Sequence, residues 1–331
     1  MTEMSKRSVE GCGEHLPTRC PTVPGLMRHT IDRVEVRVNP ANVKGMLNSG
    51  WHWYELRLPA CSRTATLRKM ISPWQRRIRR AQELKDLYPF AAEILTFYTH
   101  LAASQERTYE LFSGMRVPPR SDRSASELTS AEISAVGPQF KSFLSMIEDY
   151  GTERLIRLSR ELQANSTGPQ LLNVAWSDPA PSDPSLILAQ AFLQPYSELL
   201  RSRVDLSPVH AQHAVCPFCH RKPCFGVLRQ MGEGGSRSMV CGFCSAEWDF
   251  RRIVCPGCGE EKEQQLPIYN ADAFDYIRVE CCESCKTYIK TIDLTKNGNA
   301  EPLVDELAST PLDFWARERG YTKLHSNLLG L

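Results

Sequence analysis

The chain has 331 residues, 42% of them hydrophobic and 24% charged, which is enough for more than one domain around a substantial core. Its 40 basic and 38 acidic side chains leave a formal charge of +2, so nothing demands a polyanionic partner and no nucleic-acid binding is expected. No run of eighteen apolar residues occurs, and the first thirty residues mix charge, Gly and Pro without an apolar stretch. A chain neither inserted in a membrane nor exported is expected, and its 13 cysteines then read as metal ligands in a reducing cytoplasm, not as a disulfide framework.

Residues 1–65 carry Cys12, Cys20, Cys61 and several prolines without sustained periodicity, so a poorly ordered extension is expected, with at most a short strand at Asp32–Val38. The three cysteines have the wrong spacing for a metal-binding turn and read as incidental thiols. Residues 66–204 read as an α-helical domain of four or five helices. Leu67, Ile71, Ile78, Leu84 and Leu87 form one apolar stripe, and Phe90, Ile94, Phe97, Tyr98, Leu101, Tyr109 and Phe112 form a second beyond the break at Pro89. Ser126, Thr129 and Glu132 can start a further helix, and Phe140, Phe143, Leu144, Ile147, Tyr150, Leu155, Leu158 and Leu162 then supply at least one more, bent at Gly151. The Pro-, Ser- and Asp-rich stretch 165–184 reads as a loop, and Ser185–Val204 as the last helix of the domain. A basic run, Arg76, Arg77, Arg79 and Arg80, reads as a solvated helix face; the sharper alternative is a docking surface for an acidic partner.

Beyond residue 205 the pattern changes. Four Cys-x-x-Cys knuckles follow: Cys216/Cys219, Cys241/Cys244, Cys255/Cys258 and Cys282/Cys285, separated by 21, 10 and 23 residues. Two intervening residues let one tight turn aim both sulfurs at a single cation, and two such turns complete a tetrathiolate site. Long, short, long spacing suggests two ribbons in series, one over 205–250 with Cys216, Cys219, Cys241 and Cys244, the other over 251–298 with Cys255, Cys258, Cys282 and Cys285. A cross-braced pairing, first with third and second with fourth, is the alternative. Each long spacer has the makings of a hairpin: Phe225–Leu228 and Met239–Val240 flank a glycine-rich turn, and Gln265–Tyr269 and Tyr276–Glu280 have strand character. Arg221, Lys222, Arg251, Arg252, Lys262, Lys286 and Lys290 lie near the knuckles and can offset thiolate charge. Cys224 and Cys281 are left over, and Cys281 competes with Cys282 as a ligand.

No nucleophile, base and orienting group converge at a recognisable spacing, there is no phosphate-binding glycine loop, and no knuckle precedes a helix in a βαβ setting. A binding protein is expected, not an enzyme. His210, His213 and His220 sit beside the first knuckle, but eight thiols already fill two sites. A zinc-ribbon protein that associates with nucleic acid, or a thiol or iron redox protein, are the alternative readings. Four thiolates suit iron and zinc alike.

Several segments together resemble the FdhE-type family of formate dehydrogenase accessory (formation) proteins. They are Arg77-Ile-Arg-Arg-Ala-Gln-Glu-Leu, Tyr88-Pro-Phe and Leu101-Ala-Ala-Ser-Gln-Glu, the ordered knuckles Cys-Pro-Phe-Cys, Cys-Gly-Phe-Cys, Cys-Pro-Gly-Cys and Cys-Glu-Ser-Cys, then Tyr288-Ile-Lys, and a tail with Leu303-Val-Asp-Glu-Leu-Ala, Leu312-Asp-Phe-Trp-Ala and Gly320-Tyr. The resemblance covers residues 66–331. It implies an α+β architecture, an N-terminal α-helical bundle followed by two tandem rubredoxin-like (zinc-ribbon-like) metal-binding modules and a C-terminal helical tail over 299–331. It also implies iron at the eight knuckle cysteines, with zinc as the alternative, and a cytoplasmic maturation role on the catalytic subunit of respiratory formate dehydrogenase before that subunit is exported. No heptad seam specifies an oligomer, and a homodimer is compatible with the sequence.

Overall fold

The computed structural model describes residues 4–6, 72–115, 127–165, 167–204, 214–231 and 234–330, all within one compact unit. A three-residue strand, β1 (Met4–Lys6), borders the C-terminal sheet; Asp32–Val38 and Cys12, Cys20 and Cys61 lie outside the described residues. Helix α1 (Pro73–Leu87) begins where the Ser72 hydroxyl accepts the Gln75 amide at 3.0 Å and Pro73 occupies a position that needs no donor. Its buried stripe is Trp74, Arg77, Ala81 and Leu84, rotated from the one expected, so that Leu87 is 62% exposed. An arginine inside that stripe is tolerated because it has partners, described below. Pro89 ends the helix, and after one 3₁₀ turn α2 (Ala92–Gly114) turns Leu95, Tyr98, Leu101, Ala102 and Phe112 inward. Phe90, expected on that stripe, is exposed.

Helix α3 (Ser130–Tyr150) starts with a capping box: Glu132 donates its amide to Thr129 Oγ1 at 3.2 Å, and its carboxylate accepts the Thr129 amide at 2.8 Å. The same carboxylate is buried and accepts the Tyr196 hydroxyl at 2.8 Å, so the cap also ties α3 to α6. The chain breaks at Gly151 rather than bending, and α4 (Glu153–Ala164) follows, held to α3 by the Ser159 hydroxyl on the Leu144 carbonyl. The stretch read as a loop contains another helix, α5 (Gly168–Ser177), which buries Leu172, Ala175 and Trp176. Helix α6 (Pro184–Ser202), capped by Asp183, completes the bundle and is buried along much of its length.

The rest of the chain builds a sheet. Hairpin β2 (Phe225–Met231) and β3 (Gly234–Val240) pairs from Phe225 opposite Val240 to Met231 opposite Gly234, and β4 (Glu247–Asp249) lies beside β3. Strands β5 (Ile268–Ala271), β6 (Ile277–Cys281) and β7 (Thr287–Asp293) form an antiparallel meander, with β1 on the outer edge of β5. Helices α7 (Pro302–Ala308) and α8 (Thr310–Glu318) then lead to β8 (Thr322–Lys323), which returns parallel to β7. Four strands, β2, β3, β5 and β6, fall where hairpins were read; β7 was not foreseen as the organiser of the sheet.

The two ribbons are not beads on a string. β2 pairs parallel with β7, Gly226 opposite Thr291, so the strand order is β1-β5-β6-β7-β2-β3-β4 and one sheet runs through both ribbons. A Cβ at position 226 would fall inside contact distance of Thr291 Oγ1, which is why glycine stands there. Gly226→Val is therefore expected to destabilise the protein by about 1–3 kcal/mol through overpacking at the junction, measured as a lowered urea midpoint. An unchanged midpoint would show that the junction carries no stability.

Bundle and sheet share one hydrophobic core, and the arginine run lies along their seam. Arg77 places its guanidinium 4.4 Å from the Trp74 ring and donates to Glu198 of α6 at 3.1 Å and Ser245 of the second knuckle at 3.3 Å. Arg80 donates to Asp305 of α7 at 2.7 Å and to Tyr276 at 3.3 Å, and Arg76 to Glu301 at 2.8 Å. Arg80 also pairs locally with Glu83 at 3.2 Å, and the exposed Arg79 lies 3.9 Å from the same carboxylate. The run is thus neither a free solvated face nor an open docking surface; three of its four members bind the helical bundle to segments 168 to 225 residues away.

Candidate functional site

The four knuckles are built to one pattern. In each, the amide of the residue after the second cysteine donates to the carbonyl of the first: His220 to Cys216 at 2.9 Å, Ser245 to Cys241 at 3.1 Å, Gly259 to Cys255 at 2.9 Å and Lys286 to Cys282 at 2.9 Å. The amide of the first cysteine donates to the carbonyl five residues on, from Arg221, Ala246, Glu260 and Thr287. Closing so tight a loop puts His220, Ser245 and Lys286 at φ between 53° and 58° and Gly259 at 80°, all left-handed. Glycine at 259 is the one sequence signal for this geometry. His220 is accordingly a turn residue, exposed at the surface, while His210 and His213 lie outside the described residues.

The turns bring the cysteines together in series. Cys216, Cys219, Cys241 and Cys244 form one cluster and Cys255, Cys258, Cys282 and Cys285 the other, with sulfurs in each within 4.8 Å of one another. Sγ–Sγ separations are 3.5 Å for Cys216–Cys244, 3.4 Å for Cys219–Cys241, and 3.7 Å for both Cys255–Cys285 and Cys258–Cys282. These are much too long for disulfides. A cation about 2.3 Å from each corner of a sulfur tetrahedron spaces the corners about 3.8 Å apart, so the donor sets fit a tetrathiolate metal. Amides of Phe218, Phe243 and Gly257 point at Cys216, Cys241 and Cys255 Sγ at 3.3–3.4 Å, as bound thiolates require.

Electrostatics agree with that fit. In the first cluster, hydrogen bonds from Cys216, Cys241 and Cys244 hold the Cys219 thiol well below its ordinary range, with Arg221 assisting. Its hydrogen bond with Cys216 pushes Cys241 well up, and burial does the same to Cys244, so the set does not ionise together without a cation. Cys281, one residue before a ligand position, points away into the core on β6; burial pushes it up to about 12, and Cys224 likewise. Neither belongs to a cluster.

Two of the flanking cations have other partners as well. Arg221 is 1% exposed, lies 3.9 Å from the Phe243 ring and donates to the carbonyls of Trp176 at 2.7 Å and Asp178 at 3.0 Å, closing the C-terminal end of α5. Lys290 is fully buried on β7 and faces Glu306 and Asp313, so it does not offset thiolate charge. Arg237, which the sequence did not single out, is buried on β3, pairs with Glu280 and donates to the carbonyls of Arg251 and Val254, fixing the linker that feeds the third knuckle.

A helical bundle sharing its core with a sheet that presents two four-cysteine clusters defines a class of tandem-knuckle proteins able to bind two metal ions. Residues 215–252 match the family described as FdhE, central domain, and residues 253–329 that described as FdhE, C-terminal domain. Over these residues the chain is similar to FdhE proteins. A "Protein FdhE homolog" of Aquifex aeolicus is 25% identical over 76% of this chain and 94% of its own length. One of Pseudomonas aeruginosa is 37% identical over 35% of this chain and 39% of its own, and the match to that of Pseudomonas putida spans 38% of it. The crystal structure of the FdhE protein from Pseudomonas aeruginosa superposes with a TM-score of 0.62 at 22% identity, covering 78% of this chain and 96% of that one, which is a likeness of fold. Among the described residues no helix is long and apolar enough to cross a membrane.

Proposed function

We propose that this chain is a metal-binding accessory protein for the maturation of formate dehydrogenase, acting by binding and not by catalysis. The observation that carries the reading is the family match over residues 215–329, which contains all eight knuckle cysteines in two tetrahedral sets. Cys216, Cys219, Cys241 and Cys244 hold one ion and Cys255, Cys258, Cys282 and Cys285 the other, iron by family resemblance and zinc as the alternative. A bound ion supplies a cross-link between turns distant in sequence and, if it is iron, a one-electron couple. The protein's own residues do the rest: knuckle amides stabilise thiolates, Arg221 and Arg77 lock the first ribbon to the bundle, and β7 joins the ribbons into one rigid surface.

A maturation factor must prefer an unfinished partner and let go once the partner is folded and loaded. Differential affinity for the two partner states is sufficient for that switch. The proposed partner is the catalytic subunit of formate dehydrogenase, held in the cytoplasm before export. Anaerobic affinity capture of the tagged chain from its own host, beside a Cys255→Ser variant, tests this. Recovery of the unexported catalytic subunit is expected, with loss in the variant placing metal binding upstream of recognition. Recovery of nucleic acid, or of an unrelated enzyme in its place, would overturn the reading.

A further inference from the structure

The two clusters share a knuckle geometry but not a degree of enclosure. In the first, all four cysteines are at most 5% exposed. In the second, Cys255 and Cys282 are as deep, but Cys258 is exposed and Cys285 half-buried.

The difference traces to one position. The residue before the second cysteine is Phe218 or Phe243 in the first cluster and Gly257 or Ser284 in the second. Both phenylalanines are buried, and Phe243 sits between the Arg221 guanidinium and the Trp176 ring, 5.4 Å away. Behind them α6 closes the first cluster further, with Gln194 donating to the Gly242 carbonyl at 3.2 Å and Ser245 to Glu198 at 2.6 Å. The third and fourth knuckles are joined at the surface by an exposed hydrogen bond from Ser284 to Glu260, and among the described residues Cys258 is left exposed. A Cβ at Gly257 would come within 2.9 Å of Thr287 Oγ1, so the backbone of the third knuckle is packed against the fourth too closely to carry a cover.

We propose that the second cluster is an exchangeable metal site whose outer ligand, Cys258, lets the metal in and out, while the first cluster is a permanent structural site. The proposal rests on the metal-binding reading above. Exchange at a tetrathiolate centre is ligand substitution: a donor atom of an incoming thiolate or chelator bonds to the metal as the bond to Cys258 Sγ breaks. The freed thiolate takes a proton from water, and no electron moves. Access of the incoming donor sets the rate, and only the second cluster offers a sulfur reachable without unpacking core side chains. The exchange partners it fits are soft-metal donors and acceptors rich in thiolate.

The test uses the full chain carrying two equivalents of zinc, challenged with the chromogenic chelator 4-(2-pyridylazo)resorcinol. One equivalent is expected to leave about 10- to 100-fold faster than the other, the scale on which outer-shell contacts change metal affinity. An iodoacetamide pulse with peptide mapping should label Cys258 before any other cluster cysteine and in step with the fast phase. Cys258→Ser should abolish the fast phase and keep one slowly released equivalent. Two equivalents leaving at a single rate, or first labelling at a cysteine of the first cluster, would overturn the exchange proposal and leave the metal reading standing. Binding of fewer than two equivalents would remove both. If the variant fails to fold, the release trace and labelling order of the unaltered protein decide.

Discussion

Replacing Cys216 by serine is expected to unfold the first ribbon and loosen the helical bundle, the largest effect of any single substitution in the protein. A structural zinc ion contributes about 10–16 kcal/mol to folding a small thiolate site, more than the about 5–15 kcal/mol by which a whole domain is usually stable. The loss cannot stay local. Phe243 of the second knuckle packs on Trp176 of α5, Arg221 closes the end of that helix, and Gln194 of α6 reaches the Gly242 carbonyl. Tryptophan emission should therefore shift to the red, since Trp176 is buried at this seam and Trp248 in the same core, and hydrogen exchange should rise through α5 and α6. Cys258→Ser, at an exposed ligand far from the bundle contacts just named, should leave α5 and α6 protected. A Cys216→Ser protein that melted like the unaltered chain and still held two ions would show that the first cluster is not a metal site.

What was legible in the sequence was local. A knuckle is a loop closed within five residues, so its spacing alone announces it, and the Thr129/Glu132 cap is a contact over three. The bundle and the two hairpins followed from periodicity and turn residues. What was hidden depends on residues far apart. Nothing near Gly226 says that it must clear Thr291, yet that approach turns two ribbons into one sheet. The arginines of α1 looked like a surface because their acidic partners lie in α6 and α7. Helix α5 was masked by the Pro, Ser and Asp residues on either side, although Leu171, Leu172, Ala175 and Trp176 recur at helical spacing behind Pro169. The enclosure of the clusters was half legible: phenylalanine against glycine and serine in the knuckles is a sequence fact, but its meaning needed the bundle behind it.

Lys290→Met is expected to cost about 3–5 kcal/mol, because it breaks a neutral set of four buried charges and leaves one buried negative charge in excess. Lys290 donates to Asp313 at 2.7 Å and lies 3.0 Å from Glu306, Lys323 pairs with the same two carboxylates, and Tyr288 donates to Asp313 at 2.8 Å. Burial alone would raise the Glu306 carboxyl; Lys290 and Lys323 outweigh it and hold it at about 2, against an ordinary 4.5. The sign follows: the unfolded chain binds this proton more readily, so the stabilisation is complete above the unfolded value and is lost as pH falls from about 4.5 to about 2. Acid also protonates cysteine ligands, so the useful readout is the difference between the two proteins, in which that contribution cancels. Without Lys290 the carboxyl protonates at higher pH in the folded state, and the difference in urea stability should narrow as pH falls towards about 2. Adding Glu306→Gln restores neutrality and should recover part of the loss, a coupling that a purely steric effect of methionine would not show. These charges clamp α7, α8 and β8 onto β7, the strand that leaves the fourth knuckle, and β8 pairs Thr322 with Thr287 two residues after Cys285. Lys290→Met should therefore also speed release of zinc from the second cluster and not from the first; equal acceleration at both would mean that the clamp acts on the whole fold and not through β7.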